Sequence, residues 1–194
     1  MKENLSIKDL LGRKFLHQRE VNALSSLLAG EIAAVNAYGI CLRKAKDLRI
    51  IPPLEECKSS HALRIPILKQ QLQMLGEEPL DSAGLWGMVC ELVESGALFI
   101  GDRVAVSVLT AGEDFGFEQY EEHMKDLDNE SYLIAEQSLL PAQANTLRTM
   151  TLLCAWIRSQ EHEAAIEMDK QAASQRSQNS DAGMDISSSG SETK

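Results

Sequence analysis

The sequence predicts an all-α protein: a bundle of four long helices, a helical crossover between two hairpins, and a disordered C-terminal tail. Three observations predict it. Apolar residues recur at helical spacing through four long stretches, while alternating strand patterns are scarce. Each stretch has one apolar face, which it can bury only against the others. The connections within the first and last pairs are short and the one between them is long, as in two antiparallel hairpins joined by a crossover.

The first helix is expected over residues 17–47, with a stripe that includes Leu24, Leu28, Val35, Tyr38 and Leu42. It breaks at Ile51-Pro52-Pro53, because a residue preceding proline is pushed out of helical geometry. The second is expected over 54–75, with Pro66 removing one backbone bond inside it. Gly76 and Pro79 end it, and Asp81 and Ser82 offer caps for an apolar crossover helix over 86–100. On that crossover, Met88, Leu92 and Leu98 either cover the bundle or form a dimer patch, so a homodimer is one partner the sequence allows. The third helix is expected over 102–127 and the fourth over 130–160, where Pro141 would bend it. From about Gln171 the chain turns to serine and glutamine and cannot offset its ordering entropy by burial. The expected organisation is an N-terminal extension (1–16), the bundle (17–165) and a disordered tail (166–194).

Charge and motif content narrow the function. The 194 residues hold 19 Lys+Arg against 29 Asp+Glu, a net charge of -10, which argues against nucleic acid or an anionic membrane surface as partner. No uninterrupted apolar run or cleavable leader is read, so no membrane partner and a cytoplasmic location are expected. Cys41, Cys57, Cys90 and Cys154 lie far apart, which suggests neither a zinc knuckle nor a disulfide framework. No phosphate loop, dinucleotide fingerprint, nucleophile elbow or HExxH is present.

The positions that break the apolar pattern matter more. Glu31 falls on the first stripe, His61 on the second, Glu113 on the third, and Glu136 and Gln143 on the fourth. Each long helix therefore aims a polar side chain at the bundle axis, where a carboxylate costs several kcal/mol unless it is paired, protonated or bound to a metal. Gly30-Glu31 with Tyr38 recurs 82 residues later as Gly112-Glu113 with Tyr120, which places a Glu and a Tyr on one face of each helix.

These residues give the chain its resemblance to a known fold family. LLAGEIAAVNAY at 27–38, HALRIPILKQQL at 61–72, LWGMVCELV at 85–93, the GED…Y run within 101–124 and SLLPAQ at 138–143 resemble a bacterial four-helix-bundle family of unknown function in the ferritin-like superfamily. The resemblance implies a ferritin-like bundle. In di-iron members two helices give one Glu each and two give Glu-x-x-His. Glu31 and Glu113 match the single glutamates and His61 matches one histidine, but Lys58 stands where the preceding Glu would be and the fourth helix has no histidine. Such a pattern does not imply a working di-iron oxidase or ferroxidase.

Two readings of the buried acids stay open. In one, Glu31, His61 and Glu113, completed by Glu136 or water, hold a single iron, manganese or zinc ion, and the protein acts in metal or stress physiology as a degenerate ferritin-like member. In the other, the polar residues are structural in a non-catalytic helical interaction module, and the Lys58 ammonium pairs with Glu31 or Glu113 unless it snorkels outward. Tyr38 and Tyr120 are expected to hydrogen-bond the axial carboxylates.

Overall fold

The structure is a computed structural model that describes residues 7–78 and 101–185, with side chains for 11–78 and 101–176. Every element among the described residues is helical. Helix α1 spans Ile7–Lys44, α2 Ile51–Met74, α3 Asp102–His123, α4 Asn129–Ile134 and α5 Leu140–Asp185. Residues 1–154 form one compact unit and 155–194 a second.

In the first unit, turn chemistry sets the hairpin. The chain leaves α1 through a 3-10 turn, Leu48–Ile50, whose cap Asp47 accepts the Arg49 N–H at 2.9 Å. Pro52 and Pro53 then occupy the first turn of α2, where a missing N–H costs nothing. The other end of α2 closes in a Schellman motif. Gly76 adopts φ 81°, its N–H reaches the Gln73 carbonyl at 3.0 Å, and the Glu77 N–H reaches Leu72 at 3.0 Å. Asp102, the first residue of α3, accepts the backbone N–H of Lys46 at 3.1 Å and of Asp47 at 2.7 Å. One carboxylate thus ties the start of α3 to the turn between α1 and α2.

The core has two apolar layers. At one end Leu24, Leu28, Leu68, Leu72 and Leu139 pack together. At the other, Cys41, Leu54, Cys57, Val106 and Met150 are buried. Cys41, Cys57 and Cys154 are free thiols. Burial pushes Cys41 up to about 11 and Cys57 to about 12, so both pack as inert small hydrophobes.

Several boundaries differ from expectation. Helix α1 starts ten residues earlier than residue 17, at Ile7, and its Leu11, Phe15 and Leu16 are exposed. Residues 11–44 of α1 are long and apolar enough to cross a membrane by length and composition, but half of the qualifying window is buried in the bundle and it contains buried Glu31. The fourth long element is divided. Ala135–Leu139 form a π-helical turn in which the Leu140 N–H reaches back to the Ala135 carbonyl. Pro141 lacks an N–H, and the wide turn just before it takes up the interruption. The π turn also resets which residues face inward: Ala135 and Leu139 are buried, while Glu136 is exposed and accepts the Tyr132 hydroxyl at 3.1 Å. Glu136 therefore does not reach the bundle axis, and its place there is corrected.

In the second unit the backbone is helical through Asp185, and the side chains of residues 161–176 are all exposed. This stretch adds no apolar burial, as its composition requires. The crossover positions Met88, Leu92 and Leu98, together with Cys90, lie outside the described residues.

Candidate functional site

Between the two apolar layers lies a band of polar side chains supplied by all four long helices. Glu31, His61 and Glu113 are each 3% exposed and Arg64 is 2% exposed. The helical repeat explains the convergence. Residues 54, 57, 61, 64, 68 and 71 step along α2 by three and four, and each of them is buried. On α1 and α3, Glu31 with Tyr38 and Glu113 with Tyr120 are two turns apart on single faces.

His61 is the hinge of the network. Its Nδ1 stands 2.7 Å from Glu31 Oε2 and its Nε2 stands 2.7 Å from Glu113 Oε1. The two glycine–glutamate–tyrosine motifs then exchange bonds across the bundle. Tyr38 on α1 donates to Glu113 on α3 at 2.5 Å, and Tyr120 on α3 donates to Glu31 on α1 at 2.6 Å. From α5, Thr146 donates to Glu113 Oε2 at 2.6 Å. Gln143 donates to the same oxygen at 2.8 Å and to the Glu113 carbonyl at 2.9 Å. A Cβ on Gly116 would stand 2.9 Å from the Gln143 amide nitrogen, so that glycine is needed for Gln143 to reach Glu113.

The balancing cation is Arg64. Its Nη1 lies 3.1 Å from Glu31 Oε1 and donates to Gln143 Oε1 at 2.5 Å. Its Nη2 lies 2.7 Å from His61 Nδ1. Nδ1 cannot at once donate to Glu31 and accept from Arg64, so the position of one proton decides which bond forms. Burial disfavours the charged imidazole, but the bonds to Glu113 and Glu31 and their charges outweigh it and hold His61 above the ordinary histidine range. Burial likewise disfavours the Glu113 carboxylate, yet bonds from His61, Thr146 and Tyr38, with the imidazole charge, hold it below the usual range. Burial first, then the facing carboxylates, pushes both tyrosines well up, so they remain neutral donors. With His61 charged, Nδ1 donates to Glu31 and Arg64 is held by Glu31 and Gln143 rather than by the imidazole; two carboxylates then meet two cations and the band is neutral. No buried side-chain polar atom among the described residues lacks a partner.

Of the residues singled out in the sequence, Glu31, His61, Glu113, Tyr38, Tyr120 and Gln143 meet here. Glu136 does not. Lys58 is half-buried, with its ammonium 3.7 Å from where a Cβ on Gly39 would stand, and it pairs with neither Glu31 nor Glu113. Arg64, three residues beyond His61 where Lys58 is three before it, takes the compensating role instead. Arg64 and Thr146 are members that the sequence reading missed.

The donor set does not fit a metal ion. Both ring nitrogens of His61 face carboxylate oxygens, and a guanidinium already stands against Glu31. Among the described residues no group of three or more His, Cys, Asp or Glu is arranged to hold one. An ion would need oxygens that four neutral donors and two cations already use.

No family model and no curated protein matches the chain in sequence. A solved structure does match in shape: a crystal structure described as ferritin-like, diiron-carboxylate proteins from Bacillus anthracis strain Ames. It aligns with a TM-score of 0.57 over 72% of this chain and 97% of its own, at 14% identity. The fold is ferritin-like. This ferritin-like bundle therefore carries, at its centre, a closed set of hydrogen-bonded ions.

Proposed function

We propose that this chain is a non-catalytic ferritin-like module in which a metal-free ion network does the structural work of a bundle-core metal centre. A single observation carries the reading: one histidine bridges the two axial glutamates with both its nitrogens while an arginine faces the same pair. In ferritin-like di-iron proteins the second and fourth helices each bring Glu-x-x-His. Here the corresponding spacings read Lys58-x-x-His61 and Gln143-x-x-Thr146, and the last two residues serve as neutral donors to Glu113. Every member of the band is spent on another member. No nucleophile, free base or open ligand position remains for turnover, so the band's role is to fix how four helices pack.

The test is elemental analysis of protein purified without chelator, followed by equilibration with Fe(II), Mn(II) and Zn(II). Less than a tenth of an equivalent retained after gel filtration, roughly the background for surface sites, is the expected result. One equivalent held by the native chain and lost in Glu31→Ala would overturn the proposal in favour of a mononuclear centre.

A further inference from the structure

A cavity of about 290 Å³ opens between α1 and α3 and runs inward until its inner wall is formed by Tyr38, His61 and Gln143. We infer that this cavity is a binding site for a small, uncharged, largely apolar molecule carrying one hydrogen-bond donor. The inference rests on the metal-free reading, since a metal ion would claim the same carboxylate oxygens.

Size and lining set the class. At about 30 Å³ per water the space equals on the order of ten waters, enough for an organic molecule of about ten non-hydrogen atoms. The outer walls are largely apolar, with Ala34, Val108 and Phe115 among them and Ser26 and Gln119 as polar exceptions. Two glycines, Gly30 and Gly112, stand one on each wall, each directly before an axial glutamate. Glycine is a poor helix former, and a Cβ at either position would meet nothing within 4 Å. Packing does not require these two glycines, in contrast to Gly116 beneath Gln143. Both keep the mouth of the cavity wide.

Hydrogen-bond accounting then selects the ligand's polar group. On the inner wall, the Tyr38 and Tyr120 hydroxyl protons go to Glu113 and Glu31, and both Gln143 amide protons go to Glu113. Arg64 also bears on the Tyr120 hydroxyl and Cys57 on that of Tyr38, so what the wall still offers is acceptor capacity on Glu31, which lines the cavity and whose Oε2 takes a single bond, from His61. A hydroxyl or N–H can be satisfied there. A carboxylate or phosphate at the inner wall would face two buried acids, with Ser26 and Gln119 as the remaining side-chain donors along the lining, so anionic ligands are disfavoured.

The experiment is calorimetric titration of the full chain, with its metal content measured beforehand, against 1-naphthol, naphthalene and 1-naphthoate. The expected order is naphthol tightest, at least about threefold tighter than naphthalene for one net hydrogen bond, with naphthoate weakest. Gly30→Leu and Gly112→Leu should each weaken naphthol binding by at least about tenfold by filling the mouth, while keeping the thermal midpoint of the native chain. Metal-free protein that takes no naphthol at millimolar concentration overturns the inference while leaving the metal-free reading intact; a cavity filled by residues 79–100 of the chain itself gives that outcome. Unchanged binding in both leucine variants, or naphthoate binding as tightly as naphthol, also overturns it. Stoichiometric metal in the starting protein overturns the reading beneath it.

Discussion

Replacing Arg64 with methionine isolates the cation on which the central band depends. The side chain is nearly the same length and apolar, so packing is kept while the guanidinium is lost. At 3.1 Å from Glu31 Oε1, two unit charges attract by about 5 kcal/mol at an effective dielectric of 20. Part of that attraction is offset in the native protein by the cost of desolvating arginine, and the variant no longer bears that cost. What remains is one more buried carboxylate than cation, with the Gln143 carbonyl oxygen robbed of its donor. Removing one partner of such a pair costs about 3–5 kcal/mol, a large share of the 5–15 kcal/mol that holds an ordinary domain together. Urea denaturation at neutral pH, with the slope unchanged, should read that loss. Adding Glu31→Gln to Arg64→Met should recover part of it, because the charge left uncompensated is then gone. Lys58→Met, which removes a half-buried ammonium with no carboxylate partner among the described residues, should cost less than about 1 kcal/mol. A loss under about 1 kcal/mol for Arg64→Met, or a larger one for Lys58→Met, would refute the assignment of Arg64 as the compensating charge.

Three further outcomes follow from the same geometry. His61 is held above its ordinary 6.5, so its contribution is complete below that pH and drains away as pH rises through the raised value. Glu113 is held below its ordinary 4.5, so its contribution is complete above that pH and lost as pH falls through the lowered value; denaturation midpoints should form a plateau between these limits with a decline on each side, and a His61→Gln variant that keeps the alkaline decline would contradict the scheme. Gly116→Ala should lower stability by about 1–3 kcal/mol in the same urea assay, because the Gln143 amide must shift and release buried acceptors on Glu113; a neutral result would mean that the amide can move without loss. Glu136→Gln should change the thermal midpoint by no more than an exposed substitution does, within about 0.5 kcal/mol, and a large loss would return that glutamate to the core.

How far the sequence could be read is clearest along α2 and at the junction of α4 and α5. The bundle, the axial placement of Glu31, His61 and Glu113 and the inward face of Gln143 follow from helical periodicity, because one misplaced polar residue stands out in an apolar stripe. Arg64 does not stand out in the same way, because arginine is ordinarily a surface residue. A stricter three-four count from Leu54 through Cys57 and His61 lands on Arg64, so the signal was present. Lys58 and Arg64 flank His61 symmetrically at three residues, and spacing alone cannot choose between them; the elements packed against α2 do. Glu136 failed for a different reason. A uniform 3.6-residue repeat assigns it inward, but the π turn over Ala135–Leu139 widens the spiral just before Pro141 and turns Ala135 inward in its place. Proline signalled an interruption without saying how the backbone would absorb it.

The reciprocal bonding between α1 and α3, completed from α2 and α5, bears on how the chain assembles. Any intermediate with α1, α2 or α3 undocked would strand a naked ion inside a greasy interior. Such half-built species are penalised, and the bundle should lock in one concerted step.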